Sequence, residues 1–98
     1  MEWERWVIEL EQIDGVVTTP EHIRGHVAHL RALEAEGVLV LAGPFPDDRA
    51  GMIILRVASR AEAETAMNAD PFVTQGVRRP RLRRWMVSCE ANDHLGRG

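Results

Sequence analysis

The sequence predicts an α+β domain whose elements run βαββαβ, and three observations predict it. Trp6, Ile8 and Leu10 alternate with Arg5, Val7 and Glu9, the two-residue period of a strand with one buried face. Two capping-box spacings, Thr18 with Glu21 and Ser59 with Glu62, each open a helical stretch. Between those stretches lie two short apolar runs, residues 38–41 and 52–57, too brief for helices and therefore read as strands.

The elements follow in order. Asp14-Gly15 breaks the first strand. Pro20 has no amide hydrogen to waste in a first helical turn, so a helix is predicted over 20–36, with Ile23, Val27 and Leu30 on its buried face and Gly37 as its stop. Residues 38–41 are expected to form a strand buried on both faces, closed by Gly43-Pro44. A polar turn over 45–50 leads into the strand at 52–57. The second helix is rich in alanine (Ala61, Ala63, Ala66) and can pack closely. It must end near Asp70, because a residue before proline is driven out of the helical region. A short turn over 72–76 precedes a last strand predicted at 81–89. With right-handed crossovers, this order makes a four-stranded antiparallel sheet with both helices on one face, the ferredoxin-like arrangement.

Length and composition fit one domain. The 98 residues carry 45% apolar and 28% charged side chains, with 12 Arg and no Lys against 15 acids, for a net charge of −3. Residues 1–89 are assigned to the domain and 90–98 to a C-terminal tail. No apolar run reaches membrane-spanning length, and the start lacks the basic-then-apolar order of a secretory signal, so a cytoplasmic location and no membrane partner are expected. Cys89 is the single cysteine and is read as a small apolar filler. Helices on one sheet face leave the other bare while two strands are apolar on both sides, which predicts a homodimer packed sheet against sheet.

Three histidines, His22, His26 and His29, recur at i, i+4 and i+7 along the first helix, beside its apolar face. His22 and His26 are read as margin residues whose hydrogen bonds are met locally. His29 is the candidate proton-transfer group, since imidazole changes charge near neutral pH. Such a base needs a carboxylate to fix its tautomer, and Asp70 at the close of the second helix is the candidate, although a role as a plain turn residue accounts for it equally well. The same stripe could bind a metal, but no acidic residue accompanies the pair in metal-ligand spacing, so none is expected.

Charge is segregated along the chain: residues 77–98 hold six Arg against two acids, whereas residues 1–76 hold six against 13. Arg78, Arg79, Arg81, Arg83 and Arg84 read as an edge strand kept soluble by charge, pairing with glutamates of a partner subunit and with a minor part in drawing in an anionic substrate. Nucleic acid is not the expected partner, because the chain is acidic and Trp85 is the single aromatic nearby. No phosphate loop, dinucleotide glycine motif or nucleophile elbow is present, and no cofactor is expected.

His29-Leu30, the segment 37–44 (GVLVLAGP), the segment 51–55 (GMIIL) and the segment 69–72 (ADPF) together resemble the YCII-related (YciI-like) family over about residues 6–85. The resemblance implies a dimeric α/β barrel of ferredoxin-like subunits and an active-site His and Asp, matching His29 and Asp70. Gly43, Pro44 and Phe72, inside the matching segments, are the expected substrate-binding residues. One branch of the family looks like dehydrochlorinases of chlorinated hydroxyquinols, and related barrels include muconolactone isomerases. The expectation is therefore a cofactor-independent lyase or isomerase acting on a small chlorinated or hydroxylated aromatic, with backbone amides near Gly43 facing a developing oxyanion. The alternative is a non-catalytic binding module or accessory subunit. His22, His26 and the tail depart from the family's pattern.

Overall fold

A computed structural model describes residues 2–96. The chain forms β1 (Glu4–Gln12), α1 (Pro20–Ala35), β2 (Leu39–Pro44), β3 (Gly51–Leu55), α2 (Arg60–Asn68), a single-turn α3 (Pro71–Thr74) and β4 (Arg78–Met86), followed by a 3-10 turn at Glu90–Asn92. The strands make one antiparallel sheet in the order β2-β3-β1-β4, the ferredoxin-like topology. Both longer helices pack on one face, where Leu33 of α1 and Ala63 of α2 close over Trp6, Ile8, Leu10, Ile53 and Leu55.

Local chemistry accounts for most boundaries. Gly37 adopts φ 77°, and the amides of Gly37 and Val38 return to the carbonyls of Glu34 and Leu33, ending α1 in a Schellman motif. The helix starts differently from expectation: Thr19, not Thr18, is the N-cap, its Oγ1 accepting from the His22 amide at 3.1 Å. The reciprocal bond comes from His22, whose Nδ1 accepts from the Thr19 amide at 3.1 Å, so His22 takes the place expected of Glu21. At α2, Ser59 Oγ accepts from the Glu62 amide, as the spacing requires, while Glu62 reaches back to the Ala58 amide.

Three strand assignments shift, β3 the least, running from Gly51 to Leu55 rather than over 52–57. β4 spans Arg78–Met86 rather than 81–89; Pro80 is tolerated inside it because β4 is an edge strand. β2 is the other edge, and it is not buried on both faces: within one chain Val40 is 43% and Leu41 66% exposed. A register shift between Leu39 and Leu41 puts Leu41 opposite Ile54, on the sheet face away from the helices, which Val7 and Trp85 share. Arg83 and Arg84, expected to meet a partner's glutamates, meet Glu9 (3.6 Å) and Glu4 (2.6 Å) of the same chain, because the β1–β4 register sets Arg83 opposite Val7 and Arg84 opposite Trp6, each diagonal to its glutamate. Of the tail, Asn92 donates to the Val87 carbonyl and accepts from the Cys89 amide, folding residues 90–96 back on the end of the domain; Arg97 and Gly98 lie outside the described residues, as does Met1. Among the described residues no helix is long and apolar enough to cross a membrane.

Candidate functional site

The site begins with a glycine inside a helix, which costs about 1 kcal/mol relative to alanine unless something needs the space. Here it does: a Cβ on Gly25 would stand 3.2 Å from the Pro71 ring, so Gly25 lets α1 run close against the start of α3. The next residue, His26, then meets the residue before Pro71. His26 Nδ1 lies 2.8 Å from Asp70 Oδ2, and the Asp70 side chain is fully buried. Asp70 also caps α3, its Oδ1 accepting the Phe72 amide at 2.9 Å. The roles of turn residue and imidazole partner, alternatives in the sequence, belong to its two oxygens.

His29 is not the histidine that meets Asp70. The α2–α3 segment runs against α1 in the opposite sense, so advancing three residues from His26 moves the contact back from Asp70 to Ala66. There His29 Nε2 lies 2.9 Å from the Ala66 carbonyl. Helical periodicity placed the three histidines on one stripe, but the register of the packed segment divides them: His22 caps, His29 ties α1 to α2, and His26 takes the carboxylate. The three rings do not converge on a point, and among the described residues no group of three or more His, Cys, Asp or Glu side chains is placed to hold a metal ion.

His26 lines a cavity of about 730 Å³ between the N-terminal half of α1 and the β2–β3 end of the sheet. That volume lies within the range of small-molecule sites. Ile23, Val27 and Leu30 are on the predicted face of α1 but front this cavity, which is why Ile23 remains 48% exposed while Leu33, further along, is sealed in the core. Gly43, Pro44 and Phe72 line it too. Phe72 stacks flat on His26, centroids 4.1 Å apart and planes within 4°, which holds the imidazole plane. With Asp70 ionised, Nδ1 carries the ring proton and Nε2 is the basic nitrogen, and among the described residues no protein group hydrogen-bonds Nε2.

Arg78 is the residue that sequence reasoning assigned to a solvated edge. It is only 8% exposed, donates from Nη1 to Thr18 Oγ1 at 2.8 Å and to the Val77 carbonyl at 3.0 Å, and lies over the Phe72 ring at 5.2 Å. Burial, and then the neighbouring Arg49 charge, pull its pKa below the ordinary arginine value. The signal for His26 was Gly25 beside it; nothing in the sequence distinguished Arg78 from the arginines that follow.

The profile of the YCII-related domain matches residues 5–86. An uncharacterized protein of Bacillus subtilis (strain 168), YjpA, is 35% identical over 67 residues, covering 68% of this chain and 79% of that protein. Among solved structures, the 5-chloro-2-hydroxyhydroquinone dehydrochlorinase TftG of Burkholderia phenoliruptrix AC1100, in complex with 2,5-dihydroxybenzoquinone, superposes with a TM-score of 0.65. It covers 85% of this chain and 94% of its own at 21% identity, a likeness of fold. The profile reaches all four strands and spans all three α-helices, and on that ground the chain belongs to the YCII-related family.

Proposed function

We propose that this protein is a cofactor-independent lyase or isomerase that moves a proton on a small hydroxylated or chlorinated aromatic. His26 acts as base through Nε2, and Asp70 holds the imidazole in that tautomer and stabilises its charged form. One observation carries the reading: a buried carboxylate 2.8 Å from the Nδ1 of a histidine that lines a mostly apolar cavity of small-molecule size. The chemistry in the name of the fold neighbour, a dehydrochlorinase bound to a dihydroxybenzoquinone, supports the substrate class. In such a reaction Nε2 takes a proton from the substrate, the electron pair it leaves behind becomes a new π bond, and chloride departs with the electron pair of its C–Cl bond, so the net loss is HCl.

The test is a panel of chlorinated and hydroxylated aromatics assayed with His26→Gln and His29→Gln. Positioned proton transfer is worth about 10²- to 10⁴-fold, so His26→Gln is expected to lower kcat by that range. Retained turnover in His26→Gln with loss in His29→Gln would return the role to His29, and ligand recovered unchanged by the wild type would make the chain a binding module. We further propose a homodimer in which the face carrying Leu41, Ile54, Val7 and Trp85 packs against its copy; sedimentation giving a monomer at micromolar concentration would refute it.

A further inference from the structure

We propose that Arg78 and Arg49 form an anion subsite in the His26 cavity, which binds the ionised oxygen of a planar, ring-sized substrate. This rests on the reading of the cavity as a substrate site and names the class of ligand it takes.

A guanidinium that is 8% exposed ordinarily has a carboxylate beside it. Among the described residues Arg78 has none within 4.0 Å. Its two hydrogen bonds both leave from Nη1, to neutral oxygens of Thr18 and Val77. Nε and Nη2 keep three N–H donors that no acceptor among the described residues takes. Neither nitrogen is an enclosed orphan, so both reach open space, and Arg78 lines the cavity.

A second guanidinium lies on the same cavity. Arg49, in the turn between β2 and β3, is near enough for its charge to disfavour that of Arg78. Two cations brought together in a partly desolvated hollow repel each other until an anion sits between them. The carboxylate in the lining, Asp48, is engaged at Oδ1 by the Ala50 amide at 2.9 Å and is not ion-paired with either arginine.

Phe72 then relates the subsite to the base. Its ring is in contact with His26 by stacking and with Arg78 by a cation–π approach, so a flat molecule lying in the cavity against this group is offered a proton acceptor and a cation together. A substrate oxygen that gains charge as its ring loses a proton is the oxygen such a cation favours.

The probe is 4-nitrophenol, whose absorbance distinguishes phenol from phenolate, titrated with the intact protein below the pH at which the free phenol ionises. The expected result is a shift of bound probe to the phenolate, with 4-nitroanisole, which cannot ionise, binding at least about tenfold more weakly. Arg78→Met, which retains much of the side-chain bulk, is expected to weaken phenolate binding about ten- to hundredfold. Arg49→Ala, on an exposed turn where folding is not at risk, is expected to weaken it about two- to fivefold. 4-Nitrobenzoate is the second probe: tighter binding of the phenolate marks the recognised oxygen as ring-borne, the reverse order marks it as a carboxylate, and both uphold the subsite. No phenolate binding at millimolar concentration, equal affinity for the anisole, or affinity unchanged in both arginine variants would overturn it. Since the readout is binding, Asp70→Asn separates the two claims: turnover undiminished in this variant refutes the acid–base reading, and phenolate binding that persists in it leaves the subsite intact.

Discussion

Two buried carboxylates, Glu4 and Asp70, show how the same chemistry serves different ends. Both use both oxygens: Glu4 accepts from the Trp6 indole (3.2 Å) and the Arg84 guanidinium (2.6 Å), Asp70 from the Phe72 amide (2.9 Å) and the His26 imidazole (2.8 Å). The partners differ. A guanidinium has no neutral form within reach, and the hydrogen bond from Arg84 holds the Glu4 carboxyl below the usual range against the opposing effect of burial, so Glu4 is an anion at neutral pH. An imidazole, unlike a guanidinium, can gain or lose a proton near neutral pH, and that of His26 borders a cavity. A satisfied carboxylate is thus a clasp where its partner cannot change charge, and a candidate working part where the partner can and has space for a ligand beside it.

The largest effect is expected at Asp70. Asp70→Asn retains an oxygen to cap α3 but removes the charge behind His26, so kcat is expected to fall about 10²- to 10⁴-fold with thermal stability little altered, as steady-state kinetics and calorimetry would show. Next is Gly25→Leu: with the Pro71 ring 3.2 Å from where a Cβ would sit, a large side chain must push α3 away, at about 1–3 kcal/mol by denaturant titration and with loss of the His26–Asp70 contact. Asp70→Ala adds loss of the α3 cap, worth about 1 kcal/mol beyond Asp70→Asn in the same titration. The smallest effect belongs to Glu4. Its folded pKa is lowered, so its contribution is complete above the unfolded value and disappears as pH falls through the folded one; wild-type Tm is therefore expected to drop more on acidification below about pH 4 than that of Glu4→Gln. Identical pH profiles for the two proteins would mean that the Arg84 contact carries no linkage.

Much of the frame was legible because it is local. The alternation of Trp6, Ile8 and Leu10, the Ser59 cap and the Gly37 stop each involve groups within four residues, and each appears where its pattern puts it. The capping residue of α1 was misplaced by one, since Thr18 and Thr19 are chemically alike and only the fold gives Thr18 another occupation, at Arg78. The apolar run at 38–41 was read as doubly buried, but hydropathy does not say which strand becomes an edge.

The residue types of the candidate site were determined by the sequence alone: a histidine stripe, one carboxylate held before a proline, and a cluster of arginines. Which members meet was decided by tertiary register. Helix geometry relates His22, His26 and His29 to one another, but it carries no information about where along α1 the returning segment docks, and a slip of one turn exchanges an imidazole that faces a carboxylate for one that faces a backbone carbonyl. Burial of Arg78 has the same origin, because the environment of a strand residue is set by whatever packs across it, and that belongs to no stretch of chain on its own.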